Sequence, residues 1–265
     1  PSTPSEPVTK LVLHTHAMRV DIDGASILRD VSVDIEPGSC TALLGPNGSG
    51  KTTFLRAVLG LTPVSSGTVT WFGDARSQRR HGLPISLVPQ LLPGATSVPV
   101  SVTEFVESAF TSPLNRWHRW RLRTHRRQRV AHALDVVDLA DQAGQPIDQL
   151  SGGQQRRALF ARAIATGAQV LLLDEPLAGV DVEHQAGLVS VLARLRSEGV
   201  TLVIVAHELD AIASLVDHVV VFGGAGQSSV VYQGPPSSEV LGRHLRHEPH
   251  HEHELVRPDS ALLEM

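Results

Sequence analysis

Apolar residues come in short runs through the first ninety positions and alternate with helical patterns after residue 150. From Leu11 to Ile35 brief apolar clusters are punctuated by Gly24 and polar residues, the signature of a small antiparallel sheet. Thr41–Leu44 is a strand-length run ending at Gly45, and a helical pattern follows from Lys51 to Leu59. Thr68–Phe72 and Ile85–Val88 read as further strands. Between Pro89 and Leu150 the character changes: Val102–Phe110 and Arg129–Leu139 carry helical periodicity, with Val130, Ala133, Leu134 and Val137 on one face. Beyond them, helices at Gln154–Ala165, Glu183–Arg196 and Leu209–Leu215 alternate with strands at Val170–Leu173, Thr201–Val205 and His218–Phe222. Such alternation builds a mostly parallel sheet covered by helices. The expected fold is therefore α/β: a mostly parallel core sheet, an N-terminal antiparallel β subdomain, and an α-helical subdomain inserted at about residues 91–166.

Composition narrows the class. Hydrophobic residues make up 42% and charged residues 19% of the chain, which supports a buried core and excludes wholesale disorder. The formal net charge of -4 opposes a protein that gains affinity by coating nucleic-acid phosphates. Cys40 is the sole cysteine, so no internal disulfide framework exists; it suits a reducing compartment and reads as a small buried hydrophobe. The longest apolar stretches, such as Val170–Leu173 and Val200–Ala206, fall far short of the ~20 residues that a membrane-spanning helix needs. Pro1–Pro7 lacks the basic-then-apolar pattern of a signal peptide. Service to a membrane would have to run through partners. Lysine is rare, at Lys10 and Lys51 alone, which draws attention to Lys51.

Gly45-Pro46-Asn47-Gly48-Ser49-Gly50-Lys51-Thr52 fits G-x-x-x-x-G-K-[ST] between a predicted strand and a predicted helix, the context this phosphate-binding loop requires. Glycines let the backbone turn its N–H groups inward onto phosphate oxygens, next to a helix N-terminus. Lys51 is placed to neutralise the β- and γ-phosphates, and Thr52 to offer its hydroxyl to Mg²⁺. The predicted strand Val170–Leu173 runs into Asp174-Glu175-Pro176. Carboxylates at the C-terminal end of a parallel strand stand where α/β proteins bind ligands. Asp174 can hold Mg²⁺ through water, and Glu175 can polarise an attacking water. This is the pattern of a nucleotide-hydrolysing P-loop protein.

Leu150-Ser151-Gly152-Gly153-Gln154 discriminates further. With the phosphate loop, Asp174-Glu175 and His207 after Thr201–Val205, it resembles the ATP-binding-cassette (ABC) ATPases over roughly residues 11–234. Ser151, Gly152 and Gly153 open a predicted helix and so form a second anion site, with Ser151 near the N-cap. The resemblance implies that these residues and Gln154 close over ATP held by another subunit's loop, sandwiching two ATP molecules in a symmetric homodimer. It further implies Gln90 as the residue that senses Mg²⁺ and links the core to the helical insert, and Asp181 as the residue that communicates across the dimer. His207 is implied at the γ-phosphate, positioning the water, and Thr53 beside Thr52 at the nucleotide. The family stacks adenine on an aromatic residue of the early strands; counting back from Ile27-Leu28, that position is Ile22.

One cassette, no span and no long heptad run fit the separate ATPase subunit of an importer. The alternatives are a soluble assembly ATPase of the iron–sulfur scaffold type, and an importer for iron-siderophore or cobalamin. Pro99–Val106 and Asp174–Asp181 resemble the manganese/zinc importer group. That resemblance implies ATP and Mg²⁺ as cofactors, membrane permease subunits as direct partners and an extracytoplasmic substrate-binding protein as an indirect one. It also implies a peripheral location on the cytoplasmic face of the cell membrane. The arginine-rich run Arg116–Arg129, with Trp117 and Trp120, reads as a solvated helix face or a contact for lipid headgroups or membrane-subunit loops, not a nucleic-acid site. Residues 235–265 form a C-terminal extension. In it His244, His247, His250, His251 and His253 alternate with Glu248, Glu252 and Glu254, a set suited to weak zinc or manganese binding in a polar tail.

Overall fold

The computed structural model describes residues 11–73, 84–90, 100–111, 125–180, 182–207, 209–224 and 229–237. Asp181, most of the Arg116–Arg129 run and the histidine-rich tail lie outside the described residues.

Strands β1 (Leu13–Ile22) and β2 (Ala25–Ile35) form an antiparallel hairpin. Its two turn residues, Asp23 and Gly24, are left-handed at φ 50° and 79°, the geometry that follows the natural strand twist. The chain then leaves this sheet for β3 (Cys40–Leu44) and helix α1 (Lys51–Leu59), and returns with β4 (Ser66–Trp71) on the other side of β1, giving the order β2-β1-β4. A second sheet holds β3 at its centre with β5 (Ile85–Val88), β6 (Val170–Asp174), β7 (Thr201–Val205), β8 (His218–Phe222) and β9 (Val230–Gly234). Its order is β5-β6-β7-β3-β8-β9, parallel throughout except that β9 runs antiparallel to β8.

The central sheet is covered on both faces, which explains its unbroken Val/Leu/Ile runs. Alternation along each strand sorts the side chains. Leu171, Leu173, Leu202 and Ile204 join one core, while Val170, Leu172, Val203 and Val205 join the other. The first core receives α2 (Val102–Glu107), α3 (Arg126–Val136) and α4 (Gly152–Ala165), all between β5 and β6, and α5 (Val182–Ser197) between β6 and β7. The second core takes Phe54, Leu55 and Val58 of α1 together with the antiparallel sheet. Trp71 at the end of β4 is fully buried there and its indole N–H donates to Val58 O at 2.9 Å.

Four elements differ from expectation, one of them by a shift: the helix expected over Arg129–Leu139 runs Arg126–Val136. The helix expected over Val102–Phe110 closes at Glu107 and tightens into a 3₁₀ turn, Ser108–Thr111. The helix expected over Leu209–Leu215 is a series of turns ending in the 3₁₀ turn Ala213–Leu215. Leu209, Ile212 and Leu215 are the buried residues, and the bonds run Ile212 N to Leu209 O and Leu215 N to Ile212 O. A three-residue period keeps them on one side of a 3₁₀ path. Strand β9 was not foreseen because its residues are only half-buried or exposed, as befits a sheet edge. Cys40 is buried as expected, and burial pushes its thiol up to about 12. Among the described residues no helix is long and apolar enough to cross a membrane.

Candidate functional site

The five fully buried residues of β3 deliver the chain to Gly45 at the C-terminal edge of the parallel sheet. Gly45 has φ +139°, and a Cβ there would lie 2.7 Å from the backbone oxygen of Phe222, so no other residue fits. Ser49 N closes a turn onto Pro46 O at 3.2 Å, and Pro46, Asn47 and Gly48 stand exposed. Gly50 is left-handed and N-caps α1, with Leu28 of β2 packed where a Cβ would go. The loop is thus gripped from β8 on one side and from the hairpin on the other. Ser49 Oγ is buried and has no hydrogen-bond partner among the described residues.

Lys51 opens α1 with only 5% of its surface exposed. Its ammonium donates to Gly45 O at 2.6 Å and Pro46 O at 2.9 Å. Burial lowers its pKa, and the nearby Glu175 and Asp174 carboxylates work against that shift. Thr52 is exposed, and its hydroxyl donates to Asp174 Oδ1 at 3.1 Å; Thr53 follows, half-buried. The Asp174 carboxyl is raised above its usual range, first by burial and then by Glu175, against the pull of the Thr52 hydroxyl, Lys51 and Arg56.

Glu175 is the convergence point. It takes a left-handed backbone at φ +48°, an unfavourable conformation for a residue with a side chain. Its Oε1 pairs with His207 Nε2 at 2.8 Å, and its Oε2 accepts from Gln90 Nε2 at 2.7 Å. Gln90 follows β5, Glu175 follows β6 and His207 follows β7, so three adjacent parallel strands deliver the trio to one edge. Sequence reasoning missed a fourth member, Arg156 of α4. Its guanidinium donates to Glu175 O at 3.3 Å, Pro176 O at 2.9 Å and Gln90 O at 3.0 Å. An arginine on a helix face beside Arg157 carries no sequence signal that separates it from a solvated charge.

Ser151 N-caps α4 with a full capping box: its hydroxyl accepts from Gln154 N at 3.3 Å, and Gln154 Oε1 accepts from Ser151 N at 3.0 Å. Such a cap is worth about 1 kcal/mol. The first turn carries no acidic residue, and a Cβ on Gly152 would meet open space, so this N-terminus can admit an anion at close range. No hydrogen bond among the described residues joins Ser151, Gly152, Gly153 or Gln154 to the phosphate loop of the same chain. Ile22 ends β1 beside the hairpin turn, 39% exposed. Asp181, next in sequence to Val180, lies outside the described residues.

The profile of the ABC transporter family matches residues 28–178. The chain is 32% identical over 245 residues to the zinc uptake system ATP-binding protein ZurA of Listeria innocua serovar 6a, covering 89% of this chain and 95% of that protein. It is 34% identical over 210 residues to the manganese transport system ATP-binding protein MntA of Synechocystis, covering 76% and 80% respectively. Its fold matches a nucleotide-free ATP-binding cassette from an ABC transporter with a TM-score of 0.73 at 21% identity, covering 88% of this chain and 94% of that one. With its phosphate loop and serine-capped α4 intact, the chain belongs to the ABC transporter family, as an ATP-binding and ATP-hydrolysing cassette.

Proposed function

We propose that this ATPase drives import of a divalent transition metal, manganese or zinc. The observation that carries the chemistry is the convergence of Gln90 and His207 on the Glu175 carboxylate beside the phosphate loop. The zinc and manganese relatives support the choice of substrate.

In this reading Gly45, Pro46, Asn47, Gly48, Ser49 and Gly50 wrap the phosphates with backbone N–H groups, and the unpartnered Ser49 hydroxyl gains an acceptor. Lys51 moves its ammonium from the loop carbonyls to phosphate oxygens. Thr52, Asp174 and Gln90 offer hydroxyl, carboxylate and amide oxygens, the hard donors that suit Mg²⁺. Half-buried Asp174, whose carboxyl is raised above its usual range first by burial, is a group whose ionised form a cation would stabilise. Bound there, Mg²⁺ supplies neutralisation of the phosphate charge. Glu175 takes the proton from the attacking water while His207 holds the carboxylate in place.

Ser151, Gly152 and Gly153 serve the nucleotide of a second copy in a head-to-tail homodimer, with Gln154 fixing Ser151 and Asp181 communicating across the dimer. Membrane permease subunits carry the pair on the cytoplasmic face of the membrane, and a substrate-binding protein acts from the other side. Uptake by the complete complex in sealed vesicles tests the substrate: ATP-dependent accumulation of manganese or zinc is expected. Transport of a siderophore or cobalamin without either metal overturns the substrate reading.

Ile22 has its own test. An exposed aliphatic side chain lacks the ring stacking that is worth ~0.5–1.5 kcal/mol, so Ile22→Tyr is expected to lower KM for ATP by about 2–10-fold with kcat unchanged. An unaltered KM would remove Ile22 from the base site.

A further inference from the structure

We infer that Arg156 is a positioning residue that fastens the helix beginning at Ser151 to the reactive carboxylate of its own chain. The inference rests on Glu175 being the base.

The contacts close a ring. Arg156 Nη2 donates to the backbone oxygen of Gln90, the Gln90 side chain donates to Glu175 Oε2, and the backbone oxygens of Glu175 and Pro176 accept from Arg156 Nη1. One guanidinium therefore spans two segments that are far apart in sequence, the turn after β5 and the turn after β6. Arginine suits this task because its donors are held in a planar fork, whereas a lysine ammonium is a point charge on a flexible stem. Burial works against the guanidinium charge, and the Glu175 carboxylate favours it. The carbonyl that Arg156 holds belongs to a residue at φ +48°, a conformation that persists only when its surroundings enforce it.

Arg156 lies in the second turn of α4, whose N-terminus is Ser151-Gly152-Gly153. A helix is stiff over so short a distance, so displacing its N-terminus also displaces the guanidinium. The Gln90 backbone and the Glu175 turn move with it. A phosphate docking at that N-terminus is in this way felt at the carboxylate of the same chain. Arg156 does not touch the reacting atoms; it sets where Glu175 and Gln90 meet them.

The test uses the assembled transporter, comparing Arg156→Ala, Arg156→Lys, Gln90→Ala, the Arg156→Ala/Gln90→Ala double variant and Glu175→Gln. Arg156→Ala is expected to lower kcat by about 10–100-fold, the scale of an ångström-sized misplacement, with KM for ATP changed less than about twofold. Arg156→Lys recovers only part of that loss. The double variant is no slower than the worse single one by more than about twofold, because the two residues act as a unit. An Arg156→Ala enzyme with kcat near the wild type overturns the inference. So does a loss that multiplies in full with that of Gln90→Ala, or one that tracks a raised KM and a lowered melting temperature, the marks of a merely structural role. Glu175→Gln separates the two assignments: if it turns over normally, the base itself is misassigned. If it is inactive while Arg156→Ala is normal, only the ring falls.

Discussion

Glu175→Gln is expected to reduce ATP turnover of the assembled transporter by about 10²–10⁴-fold while leaving ATP binding intact. The carboxylate now accepts from two donors, Gln90 Nε2 and His207 Nε2. An amide of the same shape has one oxygen and one NH₂ group, so it can keep one of those donors and must present a donor to the other. The new amide oxygen can keep accepting from Gln90 Nε2, and His207 can take the tautomer with a bare Nε2 and accept from the new NH₂, so the site closes without a clash and the Gln90 oxygen stays available to Mg²⁺. What the amide cannot do is accept a proton from water at neutral pH. The variant should therefore bind ATP with near-normal affinity and accumulate as an ATP-bound dimer. Single-turnover hydrolysis with labelled ATP, read beside nucleotide binding, checks both halves. Hydrolysis at the wild-type rate would sink the assignment.

The groups that meet at the site were legible because each occupies a place that a short pattern marks. Gly45–Thr52 follows a buried strand and opens a helix, and Gln90, Glu175 and His207 each follow a strand of the parallel sheet. Parallel strands put all their C-terminal ends on one edge, so residues 85 positions apart in sequence, Gln90 and Glu175, meet at 2.7 Å. Arg156 was hidden because its meaning lies in backbone carbonyls, which every residue has and no sequence advertises. The left-handed backbone of Glu175 was equally silent, since Asp-Glu-Pro spells no turn that demands it. The misread segment Leu209–Leu215 shows a third kind of limit. Three buried residues at intervals of three satisfy both a helical and a 3₁₀ reading, and the nearby Asp217 helps stop the turn by accepting from Cys40 N and Arg196. Tertiary partners decided what periodicity left open.

Asp174→Asn should produce opposite effects on activity and on stability. Activity with Mg²⁺ and ATP is expected to fall by about 100-fold or more, because losing the carboxylate proposed to hold the metal forfeits several kcal/mol of charge stabilisation in the transition state. Without nucleotide, the same variant should melt at a higher temperature than the wild type at pH 8. Burial, reinforced by Glu175, raises the folded-state pKa of Asp174 above 3.8 despite Thr52, Lys51 and Arg56. Between the unfolded and folded values the native chain binds more protons than the unfolded chain, so stability falls as pH rises through that window and stays lower above it. A neutral amide carries no such penalty, and its oxygen can still accept from the Thr52 hydroxyl. The gain should therefore be full above the folded pKa and vanish once the pH drops below 3.8, where the wild-type group is protonated in both states. Melting curves across that range, with and without Mg²⁺ and ATP, test the sign directly. Added Mg²⁺ and ATP should stabilise the wild type more than the variant and so narrow or reverse the order seen without them. A variant that melts lower than the wild type at pH 8 without nucleotide would mean that Thr52, Lys51 and Arg56 outweigh burial, leaving Asp174 a structural anchor rather than a strained ligand.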